Sequence, residues 1–152
     1  MRKTTLPTNS RSNRGYTLIE LLITIAIVAI LASIANAAYT SQIQKSRRTD
    51  ARSALLDLAG REEKLFSTMN AYSQTASDLG YAAFPATVGS GYYQVTVAAP
   101  DPNQGGAAGT YSITATPRGT QLNDTTCASL SVNQLGAQTA TPAANAATCW
   151  GN

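Results

Sequence analysis

Residues 16–39 form an almost uncharged apolar run, YTLIELLITIAIVAILASIANAAY, and this run constrains the fold more than any other feature. Glu20 is its only charged residue, and neither proline nor glycine interrupts it. At 1.5 Å per residue, a helix of this length is about 36 Å long, enough to cross the hydrocarbon core of a bilayer. We therefore predict that the segment is a membrane-spanning helix.

The fifteen residues before this run are polar and basic. They contain Arg2, Lys3, Arg11 and Arg14 but no acidic residue. An excess of Lys and Arg marks the cytoplasmic flank of a membrane helix, so we expect this leader to lie in the cytoplasm. Four of the eleven basic side chains precede residue 16, so removing the leader leaves seven against eight acidic ones. The formal charge of +3 therefore describes the leader and not a nucleic-acid-binding surface.

The junction between the leader and the apolar run has a specific pattern. Gly15 is followed by the aromatic Tyr16, then by Thr17-Leu18-Ile19 and the acidic Glu20. This pattern resembles the processing motif of type IV prepilins, in which the first mature residue is usually Phe. The resemblance implies that a prepilin peptidase cuts after Gly15 and that the new N-terminal Tyr16 is N-methylated. It also implies that Glu20, the fifth mature residue, acts in assembly.

Two other interpretations of this segment stay open. A secretory signal peptide would be cut after Ala37, because residues 35–37 (Ala-Asn-Ala) fit the small-x-small pattern, but it must tolerate Glu20 and a long basic prefix. An ordinary membrane anchor explains the apolar run but not the pattern at its start. For Glu20, snorkelling of the carboxylate to the interface competes with pairing to a positive group, such as the Tyr16 amine, once helices pack.

From residue 40 the pattern becomes amphipathic, with apolar residues at spacings of three and four. Gly60 is a weak point, and we predict one helix from about residue 16 to about residue 69. Its first half should be bare in the monomer, and its second half should lie against the C-terminal domain. Four basic residues lie near the start of this half. We interpret them as a solvated helix face or as residues attracted to lipid phosphates, in preference to a nucleic-acid-binding site. They are Lys45, Arg47, Arg48 and Arg52.

The remainder of the chain is typical of an antiparallel β domain. Residues 70–91 are interpreted as a loop, and the Ala/Thr/Pro-rich tail 137–147 as structureless by itself. Three segments are rich in β-branched residues or alternate between apolar and polar residues, which predicts strands. They are residues 92–97, 110–116 and 127–132. We therefore predict an α+β fold in which an antiparallel sheet of three or four strands packs on the amphipathic half of the helix.

Cys127 and Cys149 are the two cysteines of the sequence. In an exported protein an isolated pair predicts one disulfide, the alternative being two unrelated buried thiols. The bridge would close the loop 127–149 and contribute about 3 kcal/mol in the chain-entropy model. The segment 111–119, then a cysteine, a short strand and a terminal Cys-Trp, is similar to the PilE/ComP-like minor pilins. This resemblance implies the type IV pilin fold.

These features divide the chain into a cleaved basic leader (1–15), a transmembrane or fibre-core helix half (16–39), an amphipathic helix half (40–69) and a periplasmic β domain (70–152). The resemblance implies a structural subunit, of minor abundance, of a type IV pilus that serves adhesion, twitching motility or DNA uptake. It implies a single-pass inner-membrane protein, N-terminus in the cytoplasm, that moves into the surface pilus. The implied partners are other pilin subunits, the prepilin peptidase and the pilus assembly platform.

Catalysis is not expected of this sequence. It contains no histidine, no metal-ligand spacing and no phosphate-binding glycine loop, so we expect no enzyme activity, no cofactor and no metal. A DNA-binding minor pilin is one alternative, with Arg47, Arg48 and Arg118 as candidate contacts. Because Arg118 is the only basic residue after Lys64, we expect no strong sequence-specific DNA binding. A secretion pseudopilin is another alternative, although the cysteine pair favours a pilin.

Overall fold

A computed structural model describes residues 15–99 and 109–151 of the 152-residue chain. The chain divides into two compact units, Met1–Tyr39 and Thr40–Asn152. The described residues form a helix α1 (Leu18–Met69), five strands and a short helix α2 (Ala146–Trp150). The strands are β1 (Ala86–Val88), β2 (Tyr93–Ala98), β3 (Ser112–Pro117), β4 (Ser129–Asn133) and β5 (Gln138–Thr141). The predicted leader lies outside the described residues up to residue 14.

Helix α1 begins where a side chain can satisfy its free amides. The hydroxyl oxygen of Thr17 accepts a hydrogen bond from the backbone N–H of Glu20 at 3.3 Å, as an N-cap residue does. The helix then continues without a break from Leu18 to Met69, through Gly60. The predicted helix 16–69 is therefore confirmed, with a start two residues later than predicted.

The chain reverses direction directly after α1. Asn70 adopts a left-handed backbone with φ of 53°, and its N–H donates to the carbonyl of Phe66 at 2.8 Å. Asparagine tolerates this conformation, which commonly ends helices. A 3-10 turn at Ala76–Leu79 follows and ends at Gly80, whose φ is 76°. A side chain on Gly80 would lie 2.7 Å from the Arg61 guanidinium, so a glycine here lets the turn approach the helix closely.

The strands form one antiparallel sheet in the order β1-β2-β3-β4-β5, so each strand pairs with its neighbours in the sequence. The three predicted strands are confirmed as β2, β3 and β4, each shifted by one or two residues. The predicted strand count of three or four is wrong, because β1 lies in the segment interpreted as a loop and β5 in the tail. Both additional strands are short and lack a strong apolar alternation, so their pairing with β2 and β4 supplies what their sequences do not.

The core of the second unit lies between the sheet and the amphipathic part of α1. Ala51, Leu55 and Leu58 contribute the helix side and are fully buried. The sheet side is built from alternate residues in register across β2, β3, β4 and β5. They include Val95, Ala115, Leu130 and Ala140. The predicted packing of the second half of the helix on the sheet is therefore confirmed.

The opposite face of the sheet carries small neutral polar side chains. Thr96, Thr114, Ser131 and Thr139 form one row across four strands. The hydroxyls of Thr114 and Ser131 hydrogen-bond each other at 3.0 Å. The five strands contain no Asp, Glu, Lys or Arg. The charged groups of this unit are therefore carried by α1 and by the connecting loops.

A disulfide joins Cys127 to Cys149, as predicted, with a Cα–Cα distance of 5.7 Å. The tail between them is ordered rather than structureless, because β5 pairs with β4 and α2 packs on β5. The indole N–H of Trp150 donates to the carbonyl of Thr139 at 2.8 Å. The bridge therefore closes a folded segment instead of restraining a loose one.

Candidate assembly and nucleic-acid surfaces

The first unit presents a continuous apolar surface. All of its described side chains are exposed, and Leu18–Met69 is the one helix among the described residues long and apolar enough to span a membrane. Large apolar side chains dominate this surface. A contiguous exposed apolar surface of this kind on a monomer indicates an interaction site. They include Tyr16, Leu18, Ile19, Leu21, Ile23 and Ile34.

The acidic residue of this surface lies in the first turn of α1. Thr17 and Glu20 have the spacing of a capping box, and the hydroxyl of Thr17 accepts the Glu20 N–H. A carboxylate at this position interacts favourably with the positive end of the helix dipole. Gly15 and Tyr16 precede the helix and have no regular secondary structure. The peptide bond between them therefore lies outside the hydrogen-bonded turns.

Arg48 does not offer its charge to solvent. It is 5% exposed, and its Nε and Nη2 each donate to a carboxylate oxygen of Asp124 at 2.6 Å. The amide nitrogen of Gln121 donates to Asp124 Oδ2 at 3.0 Å and to the Tyr93 hydroxyl at 3.2 Å. Burial, above all, raises the pKa of Tyr93. The prediction that Arg48 is a candidate DNA contact stays untested, but the burial of its guanidinium and its pairing with Asp124 argue against it.

Arg47 and Arg118 remain near the surface, and each contacts Tyr92, Arg47 through its side chain and Arg118 through its backbone. The Arg47 guanidinium carbon is 3.4 Å from the centroid of the Tyr92 ring, and its Nη1 donates to the Thr120 hydroxyl at 3.0 Å. The backbone N–H of Arg118 donates to the carbonyl of Tyr92 at 2.8 Å. We call Arg47, Tyr92 and Arg118 the arginine–tyrosine strip.

The strip combines two cations with one aromatic ring. Arg118 is exposed, and its Nη1 donates to the Thr87 hydroxyl at 3.2 Å. Neither Arg47 nor Arg118 forms a salt bridge with an acidic residue of the described part of the chain. Guanidinium groups without acidic partners can bind phosphate oxygens.

The other basic residues of the cluster near the start of the second unit point elsewhere. Arg52 donates to the carbonyl of Trp150 at 2.7 Å and so holds the end of α2. Lys45 is exposed. The four basic residues, although close in sequence, therefore lie in four different surroundings. Among the described residues no three Asp, Glu or Cys side chains converge in a group that could hold a metal ion.

Comparison with protein families identifies the chain. A family model described as "Type IV minor pilin ComP, DNA uptake sequence receptor" matches residues 37–131. The chain belongs to this family of type IV minor pilins. A second model, "Prokaryotic N-terminal methylation motif", matches residues 10–36 of the pilin, which include Gly15, Tyr16 and Glu20.

Curated relatives of the pilin are themselves pilus proteins. The major pilin PilA of Myxococcus xanthus is 38% identical over 90 residues, which are 59% of this chain and 40% of PilA. Fimbrial protein EcpC of Eikenella corrodens is 33% identical over 111 residues, 71% of this chain and 69% of EcpC. Fimbrial protein Q of Moraxella bovis is 40% identical over 75 residues, 45% of this chain and 48% of that protein. The pilin thus spans less than half of the first of these relatives.

Among solved structures, a type IV pilin from Shewanella oneidensis is similar, with a TM-score of 0.45 and 23% identity. The likeness covers 62% of this chain and 89% of that one.

The predicted site residues of the pilin fall into separate groups. Gly15, Tyr16 and Glu20 lie together at the start of the apolar helix, whereas Cys127 and Cys149 close the C-terminal segment. Sequence reasoning missed Asp124 and Tyr92, which decide the surroundings of the arginines. Tyr92 was interpreted as part of a strand and Asp124 carried no signal, because its partner Arg48 is 76 residues away in the sequence.

Proposed function

We propose that this chain is a structural subunit, of minor abundance, of a type IV pilus. The observation that carries the proposal is the exposed apolar helix of the first unit, preceded by a prepilin motif. Such a surface is stable in a lipid bilayer, and it can also be covered by the apolar helices of other pilin subunits in the centre of a fibre. Residues 16–39 would therefore anchor the subunit in the inner membrane before assembly and pack in the pilus afterwards.

Processing would couple these two states. A prepilin peptidase would cut between Gly15 and Tyr16 and remove the four basic residues of the leader. The new amine of Tyr16 would be methylated, which leaves it able to carry a positive charge. Glu20 could then be neutralised by that amine, in its own chain or in a neighbour, because an unpaired charge buried among helices is costly. Other pilin subunits, the peptidase and the assembly platform are the partners of this proposal.

The deciding experiment is to follow the subunit into fibres. An antibody to residues 40–152 would be used to measure the protein in sheared pili and in membranes, in strains with and without the prepilin peptidase. We expect the subunit in sheared pili in trace amounts relative to the major pilin, and only when the peptidase is present. Absence from pili in the peptidase-positive strain, together with a role in secretion, would instead favour a pseudopilin.

DNA binding is a second candidate function, favoured by the match to the ComP family over residues 37–131. The charge balance of the chain predicts weak backbone-phosphate affinity, and the burial of Arg48 removes one further cation. The arginine–tyrosine strip is the surface on which we place this proposal. Binding of labelled duplexes to the full chain in detergent micelles, compared at two salt concentrations, would test it. If the fluorescence anisotropy of the labelled duplexes does not change on adding the protein, whether their sequence is random or taken from the host genome, a DNA role is contradicted.

A further inference from the structure

Glu62, near the C-terminal end of α1, is a buried carboxyl group that pairs with no cation of residues 15–99 and 109–151. It is 0% exposed. Its Oε2 accepts a single hydrogen bond, from the backbone N–H of Ser73 at 3.1 Å. Its Oε1 is buried and has no hydrogen-bond partner among the described residues. A carboxylate in such a place loses its hydration and recovers only part of it from the protein.

The groups that face Glu62 add negative rather than positive charge. Glu63 lies beside it on α1, and Asp78 lies in the 3-10 turn that follows. The phenols of Tyr72, in the loop, and Tyr111, just before β3, complete the titratable surroundings. The neighbouring cations of the helix do not pair with Glu62: Arg61 binds Asp57 at 2.9 Å, and Lys64 forms no salt bridge with any described residue.

The loop held by Glu62 is organised around the same residues. The Ser73 hydroxyl donates to Asp78 Oδ2 at 2.6 Å and accepts from the Thr75 N–H at 3.0 Å. The Tyr72 ring stacks on Phe66 with a centroid distance of 4.6 Å and meets Tyr111 edge-on at 4.7 Å. Residues 70–79, which we call the Ser73 loop, are thus tied to α1 at its centre by the buried Glu62 carboxyl and the Tyr72–Phe66 stack. The Tyr72 hydroxyl also donates to Glu63 Oε1 at 3.0 Å, and Arg61 donates to the carbonyl of Leu79 at 3.0 Å.

We propose that Glu62 is an acid-closed latch: when protonated it holds the Ser73 loop against α1, and when ionised it weakens that contact. In the protonated state the carbonyl oxygen still accepts the Ser73 N–H, and no charge is buried. In the ionised state the same site holds an unpaired anion next to Glu63 and Asp78. Local opening would relieve this arrangement by hydrating the carboxylate.

The direction of the titration follows from the surroundings. Burial, above all, raises the pKa of Glu62 above the ordinary 4.5, with smaller raising effects from Glu63 and Asp78, while the Ser73 N–H lowers it. A folded-state pKa above the unfolded value means that the stabilisation is complete below the unfolded value and is lost as pH rises through the folded one. The latch is therefore tightest below the ordinary carboxyl pKa of 4.5 and loosens as pH rises through the raised pKa of Glu62.

Loosening has a defined structural consequence. Opening of the Ser73 loop exposes Tyr72 and the face of Phe66 against which it stacks, and it frees the end of α1. The pairings of the five strands do not involve residues 70–79, and Leu79 belongs to the buried core, so we expect opening to be confined to the part of the loop around Tyr72 and Ser73. The subunit would thus carry a segment whose order depends on external pH, independent of whether it serves in a pilus or binds DNA.

Hydrogen exchange of the full chain in detergent micelles tests this latch. Protection factors, corrected for the intrinsic pH dependence of exchange, would be measured for residues 70–79 between pH 5 and pH 8. We expect them to be at least about threefold lower at pH 8, with no such change for residues 113–115 of β3. Protection of the loop that stays constant or rises with pH in the wild-type chain would overturn the proposal.

Two variants separate the latch from general effects of pH. Glu62→Gln keeps an acceptor for the Ser73 N–H without the charge, so loop protection should stay at its acid level up to pH 8. Asp50→Asn changes an acidic residue of α1 whose carboxylate accepts from the Ser90 hydroxyl at 2.8 Å, away from the Ser73 loop, and should retain the wild-type pH dependence. A Glu62→Gln chain with the wild-type dependence would refute the role of Glu62. If this variant does not fold, the carboxyl titration of wild-type Glu62 by NMR decides, and a midpoint at or below 4.5 excludes the latch.

Discussion

Arg48 and Asp124 form a two-pronged ion pair in the interior of the second unit, with both N–O distances at 2.6 Å and both side chains almost fully buried. The pair links α1 to the 3-10 turn at Gly119–Asn123, because Gln121 in that turn also binds Asp124. It fixes the surroundings of Arg47 as well, since Thr120 of the same turn receives the Arg47 hydrogen bond. The buried ion pair therefore also helps to position Arg47 of the arginine–tyrosine strip.

Removing one partner of this pair should be costly. Asp124→Asn leaves the Arg48 charge buried without a counterion, and such a change typically costs about 3–5 kcal/mol. Unfolding by urea, followed by the fluorescence of the single Trp150, measures the loss. Asp57→Asn is the matched control, because the Arg61–Asp57 pair is exposed and typically contributes under about 1 kcal/mol. Equal losses in the two variants would contradict the assigned role of the buried pair.

The disulfide should stabilise the C-terminal segment measurably. Cys149→Ser removes a bridge between residues 22 positions apart and should lower the free energy of unfolding by about 3 kcal/mol. Thermal melts with and without reductant provide the measurement. The wild-type chain in reductant should melt like the variant, and the variant should not respond to reductant. A wild-type melting temperature insensitive to full reduction would refute this expectation.

Processing should occur between Gly15 and Tyr16. Intact-mass and peptide mass spectrometry of the protein from cells should find an N-methylated Tyr16 as the first residue. Gly15→Leu should leave the precursor uncut, because the motif requires a small residue before the aromatic one. An N-terminus at Ala38 would instead support the signal-peptide interpretation.

Glu20 should matter for assembly and not for folding. Glu20→Leu removes the carboxylate that would pair with the Tyr16 amine. The amine would then have no charge partner, and the packed helices would lose the ion pair that sets their axial register. We expect intact membrane insertion and a folded second unit, but a lower ratio of sheared-pilus to membrane-fraction protein. Thr24→Leu, one helical turn further along the same exposed segment, should leave that ratio unchanged. An unchanged ratio for Glu20→Leu would mean that the carboxylate only snorkels to the interface.

If the chain binds DNA, the arginine–tyrosine strip should set its salt dependence. Each phosphate contact contributes about −0.9 to the slope of log K against log salt, so Arg47→Gln and Arg118→Gln should each make the slope shallower by about that amount. Arg48→Gln is unsuitable here because it disturbs folding, and Lys64→Gln serves as the exposed control. Binding with a slope that neither strip variant alters would place the DNA surface elsewhere.

Local patterns in the sequence were sufficient for α1 and for strands β2, β3 and β4, because each carries its own periodicity. They were not sufficient for β1 and β5, three and four residues long, whose conformation depends on pairing with a neighbouring strand. The motif at Gly15–Glu20 and the cysteine pair could be recognised because their spacing is itself the signal. The burial of Arg48 could not, since nothing near Arg48 in the sequence distinguishes it from Arg47.

The bridge between Cys127 and Cys149 also determines what happens to this segment after proteolytic cleavage. The turn between β4 and β5 lies inside the bridged loop, and Leu135 at its tip is 81% exposed, a place where proteases cut readily. A cut there leaves both pieces joined through sulfur, with β5 still paired to β4. A nicked subunit thus gains only one water molecule in mass and keeps its two pieces together, so that the cut separates them on a gel only after the disulfide is reduced.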